Sequence, residues 1–385
     1  MSRPQHRRGA RPRTRAPRGE SVVGTRFQVD CGQVGHGGFV VARTDEGRVL
    51  FVRHALPGER VIAEITEGTT GDSFWRADAV QILSASPHRV TPPCPYAGPG
   101  GCGGCDFQHA RSDYQRELKA AVVSEQLRRL AKRDLTVEVE PVGESSLGWR
   151  TTMTYVPASG GGHGLRRHRS HEVQEIDQCL IATVDAQPGC PPLTRAVVGE
   201  RTFDVPDGGF WQSHRDAPQT LVDAVLAAAG LRLGDRVLDL YAGVGLFAAF
   251  AAGAVGESGH VIAVEGDPSA AASAKLNLSD LPQARVIAAD VAAWLDSSAS
   301  PQGADVVVLD PPRAGAKRRV VEGVCQREPR AIVHVACDPA ALARDVALYA
   351  EQGYDLRSLR VFDLFPMTHH VECVALLTTS AVDLR

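Results

Sequence analysis

The feature of the sequence that most constrains the fold is the alternation of apolar runs with Ala-rich segments from about residue 210 onward. Val237–Leu240 is one mostly apolar run, and residues 306–309 and 332–336 form two others. Strands that alternate with helices build a mostly parallel sheet, because each crossover helix returns the chain to the same edge. The pattern therefore predicts a doubly wound, Rossmann-like α/β domain over residues 210–385. Ligands bind such sheets at the carboxyl ends of the strands.

Two regions of different texture precede this domain. Residues 21–84 contain short alternating strands with Gly-rich connections, which predicts a small β-barrel of a kind that often binds oligonucleotides. Residues 85–209 open with a loop rich in Cys, Gly and Pro. They continue as a helix over 112–133 and then as short strands that include Arg150–Val156. We therefore expect a central β-rich region between the barrel and the α/β domain.

The N-terminal twenty residues differ in charge from the rest of the chain. Residues 1–20 hold seven Arg and one acidic residue, Glu20, whereas the whole chain has a net charge of −3. A basic, disordered arm on an acidic body favours an anionic partner such as nucleic acid. A solvated tail without specific contacts is the alternative interpretation.

Composition also bears on compartment and on the role of the cysteines. The chain has no run of the ~20 apolar residues that a membrane span needs, and its N-terminus lacks the apolar core of a secretory signal. We therefore expect a cytoplasmic protein without membrane contact. Three of the nine cysteines, Cys94, Cys102 and Cys105, lie in one short stretch. In a reducing compartment, clustered cysteines more often bind metal or react than form disulfides.

A glycine-rich turn follows the first apolar strand of the α/β domain. Gly243 and Gly245 come after Val237–Leu240, and the next strand ends in Glu265, where a ribose hydroxyl is held in dinucleotide-binding folds. Nicotinamide cofactors and S-adenosylmethionine (SAM) both satisfy this pattern. Asp310, at the end of a later buried strand, is followed by Pro-Pro-Arg. This rigid strand end is typical of SAM-dependent methyltransferases, so SAM is the preferred cofactor.

Two further strand ends carry reactive side chains. Cys337 ends an apolar strand beside a helix start at Asp338, where the helix macrodipole is expected to lower the pKa of the thiol and favour a nucleophile. A buried cysteine acting as a small apolar residue is the alternative. Glu372 interrupts an apolar strand, and burial is expected to raise its pKa into the range of a general base. His369 and His370 are either its partners or polar groups of the loop.

A nucleophilic cysteine, a carboxylate base and SAM together suggest one reaction. Addition of a thiolate to carbon 6 of uracil makes carbon 5 nucleophilic enough to take a methyl group, and a base then removes the carbon 5 proton so that the thiolate leaves. One alternative is a nucleic-acid amino methyltransferase, which needs no covalent cysteine. Another is an RNA-binding metalloprotein with a vestigial methyltransferase domain.

The motifs at these positions resemble a known family. The segment ACDPAAL around Cys337 and the element Phe365-Pro366-x-Thr368-x-His370-x-Glu372 are similar to motifs of the RNA uracil-5 methyltransferases. The similarity is greatest to the TRAM-containing iron–sulfur members that act on 23S ribosomal RNA. This resemblance implies that Cys337 is the nucleophile and Glu372 the base. It also implies a set of residues that bind SAM: Gln212, Tyr241, Gly243, Leu246, Glu265 and Asp310.

The same resemblance extends over residues 20–380. It implies that 21–84 is a TRAM domain that binds RNA, and that the partner is structured RNA, with 23S ribosomal RNA preferred to transfer RNA. It implies no protein partner, and we expect a monomer. It further implies four ligands of a 4Fe–4S cluster, although the spacing alone is equally compatible with zinc: Cys94, Cys102, Cys105 and Cys179. Asp338 departs from the family pattern, which usually has Asn there; both residues cap helices.

Overall fold

The computed structural model describes residues 19–379. The basic arm expected over residues 1–20 lies outside the described residues, apart from its last two. The described chain divides into two compact units. The smaller unit consists of residues 19–33 and 39–86, and the larger consists of residues 34–38 and 87–379.

The secondary structure alternates as the sequence pattern suggests. The strands are β1 (Arg26–Asp30), β2 (Val34–Gly35), β3 (Phe39–Arg43), β4 (Val49–Arg53), β5 (Arg60–Glu67), β6 (Phe74–Ser84), β7 (Val139–Pro141), β8 (Val156–Pro157), β9 (His163–Arg166), β10 (Val173–Glu175), β11 (Arg195–Val198), β12 (Arg201–Asp204), β13 (Arg236–Leu240), β14 (His260–Glu265), β15 (Ala284–Ala288), β16 (Val306–Leu309), β17 (Ala331–Ala336), β18 (Tyr354–Asp363) and β19 (Glu372–Thr379). The helices are α1 (Ser112–Gln126), α2 (Ala217–Ala229), α3 (Leu246–Val255), α4 (Pro268–Asn277), α5 (Val291–Leu295), α6 (Lys317–Cys325) and α7 (Pro339–Glu351). A π-helical turn at Leu127–Ala131 extends α1, and a 3₁₀ turn lies at Val184–Ala186. Among residues 19–379, no helix is both long enough and apolar enough to cross a membrane.

The smaller unit is a curved sheet around its own core. Its strands are ordered β1-β5-β6-β4-β3, with β4 and β6 parallel and the other pairs antiparallel. Along β5 the side chains of Val61, Ala63 and Ile65 are buried, and the residues between them are more exposed. This alternation is typical of a sheet with one face toward a core. The N-terminal β region expected from the sequence is thus present.

The larger unit contains an eight-stranded sheet of order β15-β14-β13-β16-β17-β19-β18-β7. The five strands from β15 to β17 are parallel, and β19 is antiparallel to both β17 and β18. Apolar side chains of α2 and α3 pack in one buried cluster, and those of α1, α6 and α7 in another. The predicted doubly wound α/β fold is confirmed. The parallel strands end, and β19 begins, at one edge of the sheet.

Residues 85–209 are less regular than expected. They contain α1, a small antiparallel sheet of β8, β9 and β10, and the hairpin of β11 and β12. The strand predicted over Arg150–Val156 is wrong up to Tyr155. The reason is that this backbone bonds to irregular segments: Arg150 donates to the carbonyl of Ile181 and Thr151 to that of Ser213.

Candidate active site

The sheet brings three reactive side chains to one edge. Asp310 directly follows β16, Cys337 directly follows β17, and Glu372 is the first residue of β19. β17 pairs with both neighbours, and its register with β19 sets Ala336 opposite Cys373. Cys337 and Glu372 directly adjoin this last pair, and they are close enough for the Glu372 carboxyl to contribute to the pKa shift of the Cys337 thiol.

Glu372 is buried, although it lies at the end of a strand. The residue is 4% exposed, and its Oε1 atom has no hydrogen-bond partner. Burial, followed by the nearby carboxyl of Asp310, raises the pKa of Glu372 well above its ordinary value, while Arg313 acts in the opposite direction. These surroundings favour the protonated form of the carboxyl group, and a positive charge beside it would favour the ionised form.

The pKa of Cys337 differs from the sequence-based prediction. The helix start was expected to lower it, but burial, followed by the carboxyl groups of Glu372 and Asp310, raises it to about 12. The prediction is wrong because the macrodipole of one helix is a weaker influence than loss of water and two acidic neighbours. Cys337 is therefore a thiol in the protein by itself.

Basic side chains surround the nucleophile candidate. A cavity of about 130 Å³ beside Cys337 is lined by five of them: His36, Lys119, Arg313, His369 and His370. Burial, followed by the charge of His369, lowers the pKa of His370 to about 3, so this imidazole is neutral. Lys119 is fully buried, and its Nζ donates to Asp363 Oδ1 at 2.6 Å.

Lys119, Arg313 and His36 line this cavity but are not among the site residues predicted from the sequence. Lys119 lies on the apolar face of α1 among buried residues, and its acidic partner is far away in the sequence. Arg313 directly follows the two prolines after Asp310, so its place at this edge is the one of the three that the motif signals. Nothing in the sequence around His36 indicates that it lies near Cys337.

Asp338 does two things at the start of α7. Its Oδ1 accepts from the backbone N–H of Ala341 at 2.7 Å, which is the expected N-cap. Its Oδ2 lies 3.2 Å from His36 Nε2. Burial raises the pKa of Asp338, but the bonds from His36 and Ala341 outweigh burial, and the net shift is downward. The carboxylate of Asp338 therefore has His36 beside it as a basic partner. An uncharged Asn at this position would not need such a partner.

The glycine turn after β13 has the geometry of a ligand-binding loop. Gly243 has a φ of +56°, and a Cβ atom there would meet no atom within 4 Å, so the backbone faces open space. Glu265 fixes the turn, since its carboxylate accepts from the N–H of Gly243 at 2.7 Å and of Asp267 at 2.6 Å. Tyr241 also has a positive φ, of 62°, and burial raises its pKa to about 12. The side chain of Leu246 is buried in the core.

Further carboxyl groups lie near the turn. Gln212 Nε2 lies 3.5 Å from Asp310 Oδ2, and burial raises the pKa of Asp310 to about 7 despite this hydrogen bond. Burial also raises the pKa of Asp239 to about 8, and one of its oxygens, Oδ1, has no partner. Buried acids of this kind favour a cation. SAM carries a positive sulfonium, so the donor set and the open turn fit this cofactor.

The four cysteines proposed as ligands line a different cavity. It measures about 270 Å³, and among its lining residues are Cys94, Cys102, Cys105 and Cys179. Burial raises the pKa of both Cys105, to about 12, and Cys179. Among residues 19–379, no group of three or more His, Cys, Asp or Glu side chains is arranged to hold a single metal ion. The structure therefore does not confirm the predicted metal ligands, although it places them around one space.

Three protein-family descriptions match parts of this chain, and relatives match most of its length. The family description "tRNA (Uracil-5-)-methyltransferase" matches residues 300–380, "TRAM domain" matches 20–77, and "Protein-L-isoaspartate(D-aspartate) O-methyltransferase (PCMT)" matches 213–294. A protein of Streptomyces avermitilis named "Uncharacterized RNA methyltransferase" is 44% identical over 93% of this chain and 99% of its own. A relative of the same description from Streptomyces coelicolor is 43% identical over 94% of each chain.

A solved structure shares the whole fold. It is that of the Pyrococcus abyssi tRNA (uracil-54, C5)-methyltransferase in complex with S-adenosyl-L-homocysteine. The TM-score is 0.69 at 22% identity, over 91% of this chain and all of the other. The larger unit therefore has the SAM-dependent methyltransferase fold, preceded by a TRAM-like β region. On the family matches and the Streptomyces relatives, the chain belongs to the RNA uracil-5-methyltransferase family and is a SAM-dependent RNA methyltransferase.

Proposed function

We propose that this enzyme methylates carbon 5 of a uridine through a covalent bond between Cys337 and carbon 6 of the base. The observation that carries the proposal is that Cys337 and Glu372 directly adjoin the last pair of β17 and β19, at the edge where Asp310 also lies. A nucleophile and a base close together are the two groups that this chemistry needs.

The steps balance with these residues. The Cys337 thiol loses its proton to water as its sulfur bonds to carbon 6, and the electron pair of the carbon 5–carbon 6 double bond becomes nucleophilic at carbon 5. SAM supplies the methyl group for carbon 5 and brings a positive sulfonium charge to the site. The Glu372 carboxylate then takes the proton from carbon 5. The carbon 6–sulfur bond breaks, the double bond forms again, and 5-methyluridine leaves.

The proposed cofactor contacts follow from the turn. Glu265 and the open backbone at Gly243 would hold the ribose of SAM, and the N–H groups at the start of α3 (including that of Leu246) would bind its carboxylate. Gln212, Tyr241 and Asp310 would hold the sulfonium end. A cation beside Asp310 and Glu372 favours their ionised forms. Binding of the cofactor thus prepares Glu372 to accept a proton.

Replacement of each reacting residue tests the mechanism. Cys337→Ala abolishes methyl transfer, because no adduct forms. Glu372→Gln still allows the thiol addition and the methyl transfer but not proton removal, so the methylated adduct accumulates on ordinary uridine RNA. Turnover falls by about 10²–10⁴-fold. Full methyl transfer by Cys337→Ala would instead indicate an amino methyltransferase.

For the RNA, we propose ribosomal RNA in preference to transfer RNA. The support is the combination of a TRAM match at 20–77 with a cavity lined by four cysteines, which accompany each other in the ribosomal members that the chain resembles. The test is to map 5-methyluridine in ribosomal and transfer RNA from cells with and without the protein. Loss of a site confined to transfer RNA would overturn the preference.

For the cysteine cavity, we propose a 4Fe–4S cluster in preference to zinc. The ligand sulfurs of a tetrahedral zinc lie about 3.8 Å apart, since each Zn–S bond is about 2.3 Å. A cluster binds each thiolate through a different iron and spreads them further, around a cavity of about 270 Å³. Protein purified without oxygen should contain iron and sulfide. Colourless protein with one zinc per chain would contradict the proposal.

A further inference from the structure

The loop that carries Glu372 is a strained turn. Between β18 and β19 the chain passes through Phe365 and Met367, and Met367 has a φ of +68°, a conformation that is unfavourable for a non-glycine residue. Within the loop, Thr368 Oγ1 donates to the carbonyl of Phe365 at 2.8 Å. Strain of this kind persists only when the surroundings hold it, so the contacts that hold this loop determine where Glu372 lies.

Those contacts come from the segment directly after the cysteine loop. The N–H groups of Asp106 and Phe107 both donate to the carbonyl of Met367, each at 2.9 Å. The carboxylate of Asp106 accepts from His369 twice, from the ring Nδ1 at 2.6 Å and from the backbone N–H at 3.2 Å. Asp106 is 9% exposed. One acidic residue thus fixes both the backbone and the side chain three residues before Glu372.

Helix α1 adds two further contacts to the same turn. Gln115 Oε1 accepts from the N–H of Met367 at 2.9 Å, and Lys119 Nζ donates to the carbonyl of Phe365 at 3.0 Å. Gly38 packs tightly against the Asp106–His369 pair, since a Cβ atom on Gly38 would lie only 2.7 Å from the Cβ of His369. The turn is therefore held on several sides by buried polar groups and has little freedom to move.

The cysteine cavity and the turn also share apolar packing. Met367 and Phe365 pack in one cluster with Trp149, and two of the proposed metal ligands, Cys105 and Cys179, pack against it. Asp106 is the residue next to Cys105 in the chain. The turn that precedes Glu372 thus packs directly against the cysteine region.

We propose that Asp106 is a positioning residue for proton removal: its bonds to His369 and Met367 set the place of Glu372 in the second half of the reaction. This inference rests on the proposed function. It assigns to the cysteine region a role in catalysis through geometry, because that region supplies the residues that hold the base loop.

The two halves of the reaction can be measured separately. Addition of Cys337 and methyl transfer yield a lasting adduct on RNA made with 5-fluorouridine, since fluorine at carbon 5 cannot be removed as a proton. Turnover on ordinary uridine RNA needs both halves. Asp106→Asn should form the 5-fluorouridine adduct at the parent rate, turn over about 100-fold more slowly, and accumulate covalent complex on ordinary RNA. A denaturing gel shows both complexes.

Asp113→Asn is the matched control, because Asp113 is an exposed acid of the same segment that pairs with Arg111. It should behave as the parent in every assay. Turnover of Asp106→Asn equal to that of the parent would overturn the inference. A parallel loss of 5-fluorouridine adduct and turnover would also overturn it, since it would indicate a general structural role. Absence of the adduct in the parent would instead refute the proposed function.

A second pair of variants serves if Asp106→Asn does not fold. His369→Asn keeps an N–H donor near the position of Nδ1, whereas His369→Leu removes it. His369→Leu should accumulate covalent complex on ordinary RNA, and His369→Asn should restore release of product. Equal behaviour of the two variants would contradict the role of the Asp106–His369 bond.

Discussion

At the scale of single residues, the nucleophile candidate is controlled by what surrounds it. The sequence places Cys337 at a strand end beside a helix, and the structure agrees on that position. The direction of its pKa shift could not be predicted, because burial of the thiol and the nearby carboxyl groups of Glu372 and Asp310 all depend on the tertiary fold. Local motifs thus identify the groups, and the tertiary fold determines their charge.

This charge state predicts a steep pH dependence of alkylation. Since burial and acidic neighbours raise the pKa of Cys337 to about 12, and only the thiolate reacts, alkylation by iodoacetamide should keep accelerating well above pH 9. A cationic SAM analogue such as sinefungin should accelerate it at neutral pH, whereas S-adenosylhomocysteine, which lacks that charge, should not. Mass spectrometry of the Cys337 peptide measures the rate. Fast alkylation at pH 7 without ligand would contradict the shift.

At the scale of secondary-structure elements, the sequence predicts each strand end but not their order. Apolar runs before Asp310 and Cys337 indicate neighbouring parallel strands, and Glu372 marks another strand. That β19 inserts beside β17 in the opposite direction depends on long-range packing. The buried ion pair between Lys119 of α1 and Asp363 of β18 could not be predicted from the sequence either. A lysine on an apolar helical face is ordinarily expected to extend into water.

Removal of that lysine should be costly. Lys119→Met leaves the carboxylate of Asp363 buried without its partner, so the free energy of unfolding should fall by about 3–5 kcal/mol. Urea denaturation measures it. Arg360→Ala is the control, because Arg360 and Glu140 form an exposed pair that should contribute about 0–1 kcal/mol. A loss below 1 kcal/mol for Lys119→Met would show that the buried pair does not stabilise the fold.

At the scale of the whole molecule, a row of aromatic side chains and the candidate reacting residues belong to different units. The smaller unit presents a row of aromatic rings: Phe39 and Phe51 have centroids 4.5 Å apart, and Phe51 and Phe74 are 4.9 Å apart. The guanidinium of Arg76 lies 5.6 Å from the ring of Phe74, which is 39% exposed. Aromatic rings with an interleaved arginine are typical of surfaces on which unpaired bases stack. The larger unit holds the candidate reacting residues.

Loss of one ring should weaken RNA binding without changing the chemical step. Phe74→Ala should reduce affinity for ribosomal RNA fragments by about 1–3 kcal/mol, while single-turnover methyl transfer at saturating RNA stays at the parent rate. Leu83→Ala is the control, since Leu83 lies on the same strand and is 42% exposed. Equal affinity of the two variants would show that the aromatic row does not bind RNA.

Mass spectrometry can detect the proposed covalent bond between Cys337 and the RNA. The protein is incubated with SAM and ribosomal RNA transcribed with 5-fluorouridine, digested with protease and nuclease, and analysed by mass spectrometry. The expected product is a peptide in which Cys337 carries a methylated 5-fluorouridine nucleotide. Methylated RNA together with an unmodified Cys337 peptide would contradict it.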